Sequence, residues 1–86
     1  MSALDDAIDR SCLGDAIREL RARRHVTQEW LSYEAGLGRH FVGALERGER
    51  SPRFNALLAL ARALEVPLSE LVELFERRRR EANERS

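Results

Sequence analysis

The stretch from Thr27 to Gly48 sets the narrowest limits on what this chain can fold into. It reads Thr-Gln-Glu-Trp-Leu-Ser-Tyr-Glu-Ala-Gly-Leu-Gly-Arg-His-Phe-Val-Gly-Ala-Leu-Glu-Arg-Gly, two short helical segments separated by a glycine-containing turn. Thr27 is placed to cap the first segment, Gln28 to Ala35, because a threonine oxygen can take up an unpaired N–H of the first turn. Gly36 fits the left-handed residue that closes a helix. The second segment runs from Arg39 to Arg47 and Gly48 closes it. Helices joined by so short a turn cross steeply, which demands small contact residues, and Ser32, Ala35 and Gly36 supply them. With Val42 and Leu45 anchored in the core, the opposite face of the second segment holds Arg39, His40, Gly43, Ala44 and Arg47. Arginine forks onto guanine, and Gly43 and Ala44 add little bulk, so this face suits base edges in a DNA major groove.

Three further helices are predicted around that pair. The first spans about Cys12 to Arg23, with Leu13, Ala16, Ile17 and Leu20 at helical spacing. After a polar loop containing Ser51-Pro52, Phe54 to Leu64 is apolar along one side at Leu57, Leu58, Leu60, Ala61 and Leu64. Pro67 opens a fifth helix with the stripe Leu68, Leu71, Val72 and Phe75. Neither strand alternation nor an internal repeat is present. The expected fold is all-α, a five-helix globule over residues 12–76. Residues 1–11 form an N-terminal extension with helical potential, and residues 77–86 an Arg-rich, fraying extension of the last helix.

At 86 residues, 43% hydrophobic and 35% charged, the composition is that of one foldable domain rather than a disordered chain. The single cysteine, Cys12, excludes an internal disulfide, the apolar runs are too short to span a bilayer, and Asp5, Asp6 and Asp9 are unlike a signal peptide. A cytoplasmic location is expected. His25 and His40 have no cysteine partners, so no metal site is expected. Glu46 has no second acid, nucleophile–base pair or phosphate loop beside it, so neither an enzyme nor a cofactor is expected.

Fifteen basic residues, all arginine, balance fifteen acidic ones, but the charge is segregated. Residues 1–17 carry −3, residues 18–27 carry +3, residues 65–76 carry −4 and residues 77–86 carry +3. A zero net charge speaks against a nucleic-acid partner, whereas segregation allows a basic face opposite an acidic one.

Taken in order, Leu13 to Arg21, Thr27 to Gly36, Val42 to Gly48 and Pro52 to Leu64 resemble the XRE family, the phage-repressor and Cro-like helix-turn-helix proteins. The resemblance covers about residues 13 to 75. It implies a repressor-like fold and binding to double-stranded DNA as a transcriptional regulator, more in the manner of a repressor. Arg39, His40, Gly43 and Ala44 would meet bases, and Thr27, Gln28, Arg47, Arg50 and Arg53 would contact the DNA backbone. Arg21 and Glu46 would form a structural ion pair between the first and third helices. Three positions depart from the family pattern: Ser32 stands where alanine is usual, Gly38 where a Ser or Thr cap is usual, and Gly43 interrupts the recognition helix.

One short recognition helix reads too few bases to find a genomic site, so a homodimer on a two-fold operator is expected. Leu74, lying beside the helix-five stripe, and the strip Leu4, Ala7 and Ile8 are the surfaces expected to form it. An antitoxin or a restriction-modification controller fits the same residues. So does a protein-interaction module using Trp30 and Tyr33, which otherwise pack over neighbouring helices. Arg77 to Arg80 read either as a solvated helix end or as a nonspecific DNA tail. No room for a small-molecule sensing domain is evident.

Overall fold

The computed structural model describes residues 3–85, with side chains from Asp6 onward. Five helices follow one another: α1 Ala3–Arg24, α2 Gln28–Glu34, α3 Phe41–Glu46, α4 Phe54–Ala63 and α5 Leu68–Arg85. No strand occurs among the described residues. One core joins all five, built from Ala16, Ile17 and Leu20 of α1, Leu31 of α2, Val42 and Leu45 of α3, Leu60 and the following Leu64, and Leu71 and Leu74 of α5.

The first four helices end in the same way. A residue with positive φ follows each: His25 at 59°, Gly36 at 70°, Gly48 at 75° and Glu65 at 59°. The next N–H then reaches back to a carbonyl five residues earlier, as Val26 to Arg21, Leu37 to Ser32, Glu49 to Ala44 and Val66 to Ala61. This closure satisfies carbonyls that the helix leaves unpaired. At three of the four ends the returning residue is apolar, and Val26, Leu37 and Val66 all pack against the core. Each of these four helices is therefore stopped by one local device, which at three of them also redirects the chain inward.

The ends of the chain depart from the sequence reading. Residues 3–11 are not a separate piece but the first turns of α1, which runs unbroken for 22 residues. Nor does the C-terminal segment fray, since α5 continues to Arg85 along α1. Arg79 Nε donates to Asp9 at 3.0 Å, and Arg78 pairs with Glu19. Basic residues thus hold the first and last helices together. With α1 as a second wall, the buried seam of α5 rotates. Leu74, expected on the surface, is 4% exposed, whereas Val72, expected inside, is 42% exposed. Ala7 is exposed, Ile8 lines a cleft against α5 with Cys12 and Ala82, and the side chain of Leu4 lies outside the described residues. Leu74 therefore belongs to the core and cannot supply a dimer contact.

Gly14 sets how closely α1 approaches α3. A Cβ at that position would lie 2.6 Å from the carbonyl oxygen of Leu45 and 2.8 Å from that of Glu46, backbone atoms that cannot step aside. Gly14→Ala should accordingly destabilise the protein by about 1–3 kcal/mol in denaturant unfolding, despite alanine's better helix propensity. A neutral or stabilising effect would contradict this close packing.

Candidate nucleic-acid interface

The pair α2 and α3 is positioned from below by Glu46. Its side chain is almost wholly buried, and a lone carboxylate there would be strongly unfavourable. Arg21 answers it with two bonds, Nε to Oε2 at 2.7 Å and Nη2 to Oε1 at 3.1 Å. Gln28 Nε2 adds a third at 2.9 Å, and Arg18 Nη2 donates to the Glu46 backbone carbonyl at 3.1 Å. Arg21 also reaches the carbonyl of Val26 at 2.9 Å. Three helices and the turn between two of them are thus fastened at one carboxylate. Burial pushes the Glu46 carboxyl up, but the hydrogen bonds from Arg21 and Gln28 and the charges of Arg21 and Arg18 outweigh it. The group is held below its usual value.

Ser32 fastens the two motif helices from inside. The α3 N-cap, His40, makes no side-chain capping bond. Instead the buried Ser32 hydroxyl, on α2, accepts the N–H of Val42 at 3.1 Å. A residue that sequence reading accepts only for its smallness thus supplies the cap that Gly38 cannot. At the other helix start, Thr27 Oγ1 accepts from the Trp30 N–H at 3.0 Å, so its hydroxyl serves α2.

α3 is shorter than the sequence suggests. Arg39 and His40 lie in the turn ahead of it, both exposed, and the helix itself begins at Phe41. A cleft of about 220 Å³ brings together Gln28, Glu29, Arg39, His40, Gly43 and Arg47. Gly43 forms its floor rather than an open face. A Cβ there would stand 3.2 Å from Gln28 Oε1 and 3.3 Å from Arg47 Nη1, so those two side chains fold across it. Ala44 is half-buried on the same helix and does not line the cleft. Arg50 and Arg53 line a separate cleft with Leu37, Phe41 and Pro52, and the Arg50 guanidinium sits 4.6 Å from the centre of the Phe41 ring. Of the candidate residues, Gln28, Arg39, His40, Gly43 and Arg47 thus form one group and Arg50 and Arg53 another, while Thr27 and Ala44 line neither cleft.

Carboxylates absent from the sequence reading hold two of these arginines. Arg39 Nε donates to Glu29 at 2.9 Å. Arg47 uses both Nε, at 2.9 Å, and Nη2, at 3.2 Å, on Glu49. Arg18 was equally absent; only its place one turn before Arg21 hints at it. Of the aromatic pair, Trp30 packs against the core with the Arg24 guanidinium 5.4 Å above its ring, while Tyr33 is 81% exposed. Among the described residues no group of three or more metal-ligating side chains comes together, and no helix is long and apolar enough to cross a membrane.

Two short helices locked at a steep turn, with an arginine-bearing cleft in front of the second, define a helix-turn-helix domain. The model of the helix-turn-helix domain family matches residues 13–74, and the chain belongs to that family. It is 38% identical over 56 residues to the cryptic phage CTXphi transcriptional repressor RstR of Vibrio cholerae, a match over 65% of this chain and 50% of the repressor. The chain thus spans about half the length of that relative. Among solved structures, the restriction-modification controller protein C.AhdI from Aeromonas hydrophila is 40% identical with a TM-score of 0.71, covering 73% of this chain and 96% of the controller. The controller C.Esp1396I, as a tetramer with its natural 35 base-pair operator, is 25% identical with a TM-score of 0.75 over 83% of this chain and 93% of its own.

The depressed Glu46 carboxyl fixes the sign of the acid response. Stability from this group is fully present above its unfolded value, about 4.3, and is lost as pH falls through the lower folded value. Glu46→Gln should cost about 3–5 kcal/mol at neutral pH, because it leaves Arg21 without its counter-charge. It should also flatten the acid limb of stability against pH. An unchanged acid limb, measured by urea unfolding from pH 7 to pH 3, would show that Glu46 is not the group being protonated.

Proposed function

We propose that the chain is a sequence-specific DNA-binding transcriptional regulator that represses from a two-fold operator. The carrying observation is the cleft that gathers Gln28, Arg39, His40 and Arg47 in front of α3 on a scaffold belonging to the helix-turn-helix family. Arg39 meets a base, with His40 beside it. Arg47 and Gln28 hold the DNA backbone on one side, with Thr27 near the start of α2, and Arg50 and Arg53 hold it on the other. Gly43 and Ala44 keep the approach shallow, and Arg21 with Glu46 ties α3 to α1. The controllers C.AhdI and C.Esp1396I are matched almost whole and the phage repressor over half its length, which favours a restriction-modification controller over a phage repressor as the particular role.

The operator-bound tetramer of C.Esp1396I supports an oligomer that binds DNA. With Leu74 in the core, Val72 is the exposed large apolar side chain that α5 offers among the described residues, and the two-fold contact is placed there. This residue lies at an apolar groove of about 300 Å³ with Leu13, Pro52, Leu57, Leu71 and Phe75. Val72→Glu should give a folded monomer in sedimentation at micromolar concentration, while the wild type sediments as a dimer. A dimeric Val72→Glu protein would place the contact elsewhere.

Selection from a random duplex pool should recover a palindrome. On that site Arg39→Ala should lose about 1–3 kcal/mol and relax one base pair in each half. Arg47→Ala should weaken all sequences alike and lower the salt slope by about one unit per protomer. No enrichment from the pool, or binding indifferent to salt, would turn the reading towards a protein-interaction module.

A further inference from the structure

The two arginines of the cleft are held by their carboxylates in different ways. On Arg47, Glu49 occupies Nε and Nη2 together, so one side of the guanidinium is taken and only Nη1 is left to point elsewhere. On Arg39, Glu29 occupies Nε alone. Among the described residues neither Nη1 nor Nη2 of Arg39 donates to a protein acceptor, so the outer end of the guanidinium keeps its pair of parallel donors. That end matches the O6 and N7 acceptors of guanine. From Glu29 and this geometry we infer that Glu29 is a positioning residue for base recognition, holding Arg39 by Nε so that its outer edge is presented ready to fork onto a guanine. The inference rests on the DNA-reading role proposed for Arg39.

Glu29 has a simpler duty as well. An acidic side chain in the first turn of α2 stabilises that helix against its dipole. This duty needs no contact with Arg39, which lies ten residues further on across the turn. In water the pair is exposed on both sides and contributes little to stability. When DNA covers the cleft, water leaves, and a carboxylate that fixes one nitrogen limits the rotamers Arg39 must otherwise give up on binding. The same carboxylate stands near phosphates and repels every duplex, whatever its sequence. Glu29 therefore acts twice in one direction: it weakens nonspecific binding and sharpens the preference for the right base pair. That combination suits a chain with no net charge and a genome of competing sites.

The two effects separate experimentally. Affinities would be measured by fluorescence anisotropy at fixed salt on the selected duplex, on its variants at the base pair that Arg39 reads, and on a random duplex. Glu29→Ala should bind the random duplex about twofold to fivefold more tightly, as one repelling charge is lost. Its preference for the right base pair should fall about threefold to tenfold. Glu29→Gln, whose amide oxygen can still accept from Nε, should gain the same nonspecific affinity and keep most of the preference. In the Arg39→Ala background, Glu29→Ala should cost no further preference. A Glu29→Ala protein that binds every duplex more tightly with its preference intact would overturn the inference and leave Glu29 as a repelling charge alone. Should Arg39→Ala leave the preference unchanged, the base-reading role itself fails, and that outcome is visible in the single variant.

Discussion

Everything in this domain that faces outward depends on one carboxylate that faces inward. Glu46 sits at the end of α3, closed off from water, and its charge persists only because Arg21, Gln28 and Arg18 surround it. These partners come from α1 and from the first turn of α2, so each helix of the motif is referred to the same point. An apolar residue in place of Glu46 could fill the space, but it could not specify which nitrogen lies where. The ionic cluster trades some stability for a defined register between helices too short to hold one by themselves. The close approach permitted by Gly14 completes the arrangement, since it brings α1 near enough to α3 for the arginines to reach.

Much of this was legible in the residues. The helical spacing of Leu13, Ala16, Ile17 and Leu20, the glycines at 36 and 48 and the proline at 67 marked the order of the helices and most of their ends. They did so because periodicity and left-handed closure are local properties. The left-handed closures at His25 and Glu65 carry no such mark, since neither residue is glycine; the apolar residue that follows each packs against the core and holds it. The position of Val72 and Leu74 was misread for a similar reason. A helical stripe shows which residues lie together, but which part of it is buried depends on a neighbour. That neighbour, the long N-terminal reach of α1, follows from pairings across most of the chain: Asp9 with Arg79 and Glu19 with Arg78.

The candidate site divides along the same line. Family pattern pointed to Arg39, His40, Arg47 and Gln28 by position, and the fold gathers these four in one cleft. Pattern could not indicate how a charged side chain is occupied without DNA, because Glu29 with Arg39 is a contact between elements. Ser32 is a further instance. As a letter it is a small residue in a tight crossing, whereas in space its hydroxyl holds the first turn of the neighbouring helix.

The clasp between the first and last helices also bears on how the protein comes into being. Its ion pairs join residues 59 and 70 positions apart, and the core lacks Leu71 and Leu74 until α5 is present. At about 5–20 residues per second, roughly 4–14 seconds separate the synthesis of Asp9 from that of Arg79. Throughout that interval the core of α1, the motif and α4 stands without the two leucines that α5 contributes. Loop closure over such a span is entropically costly, so the pairs between the first and last helices are expected to form after the more local contacts of the motif. The segment Thr27 to Gly48 is thus made before the helix that completes the core behind it.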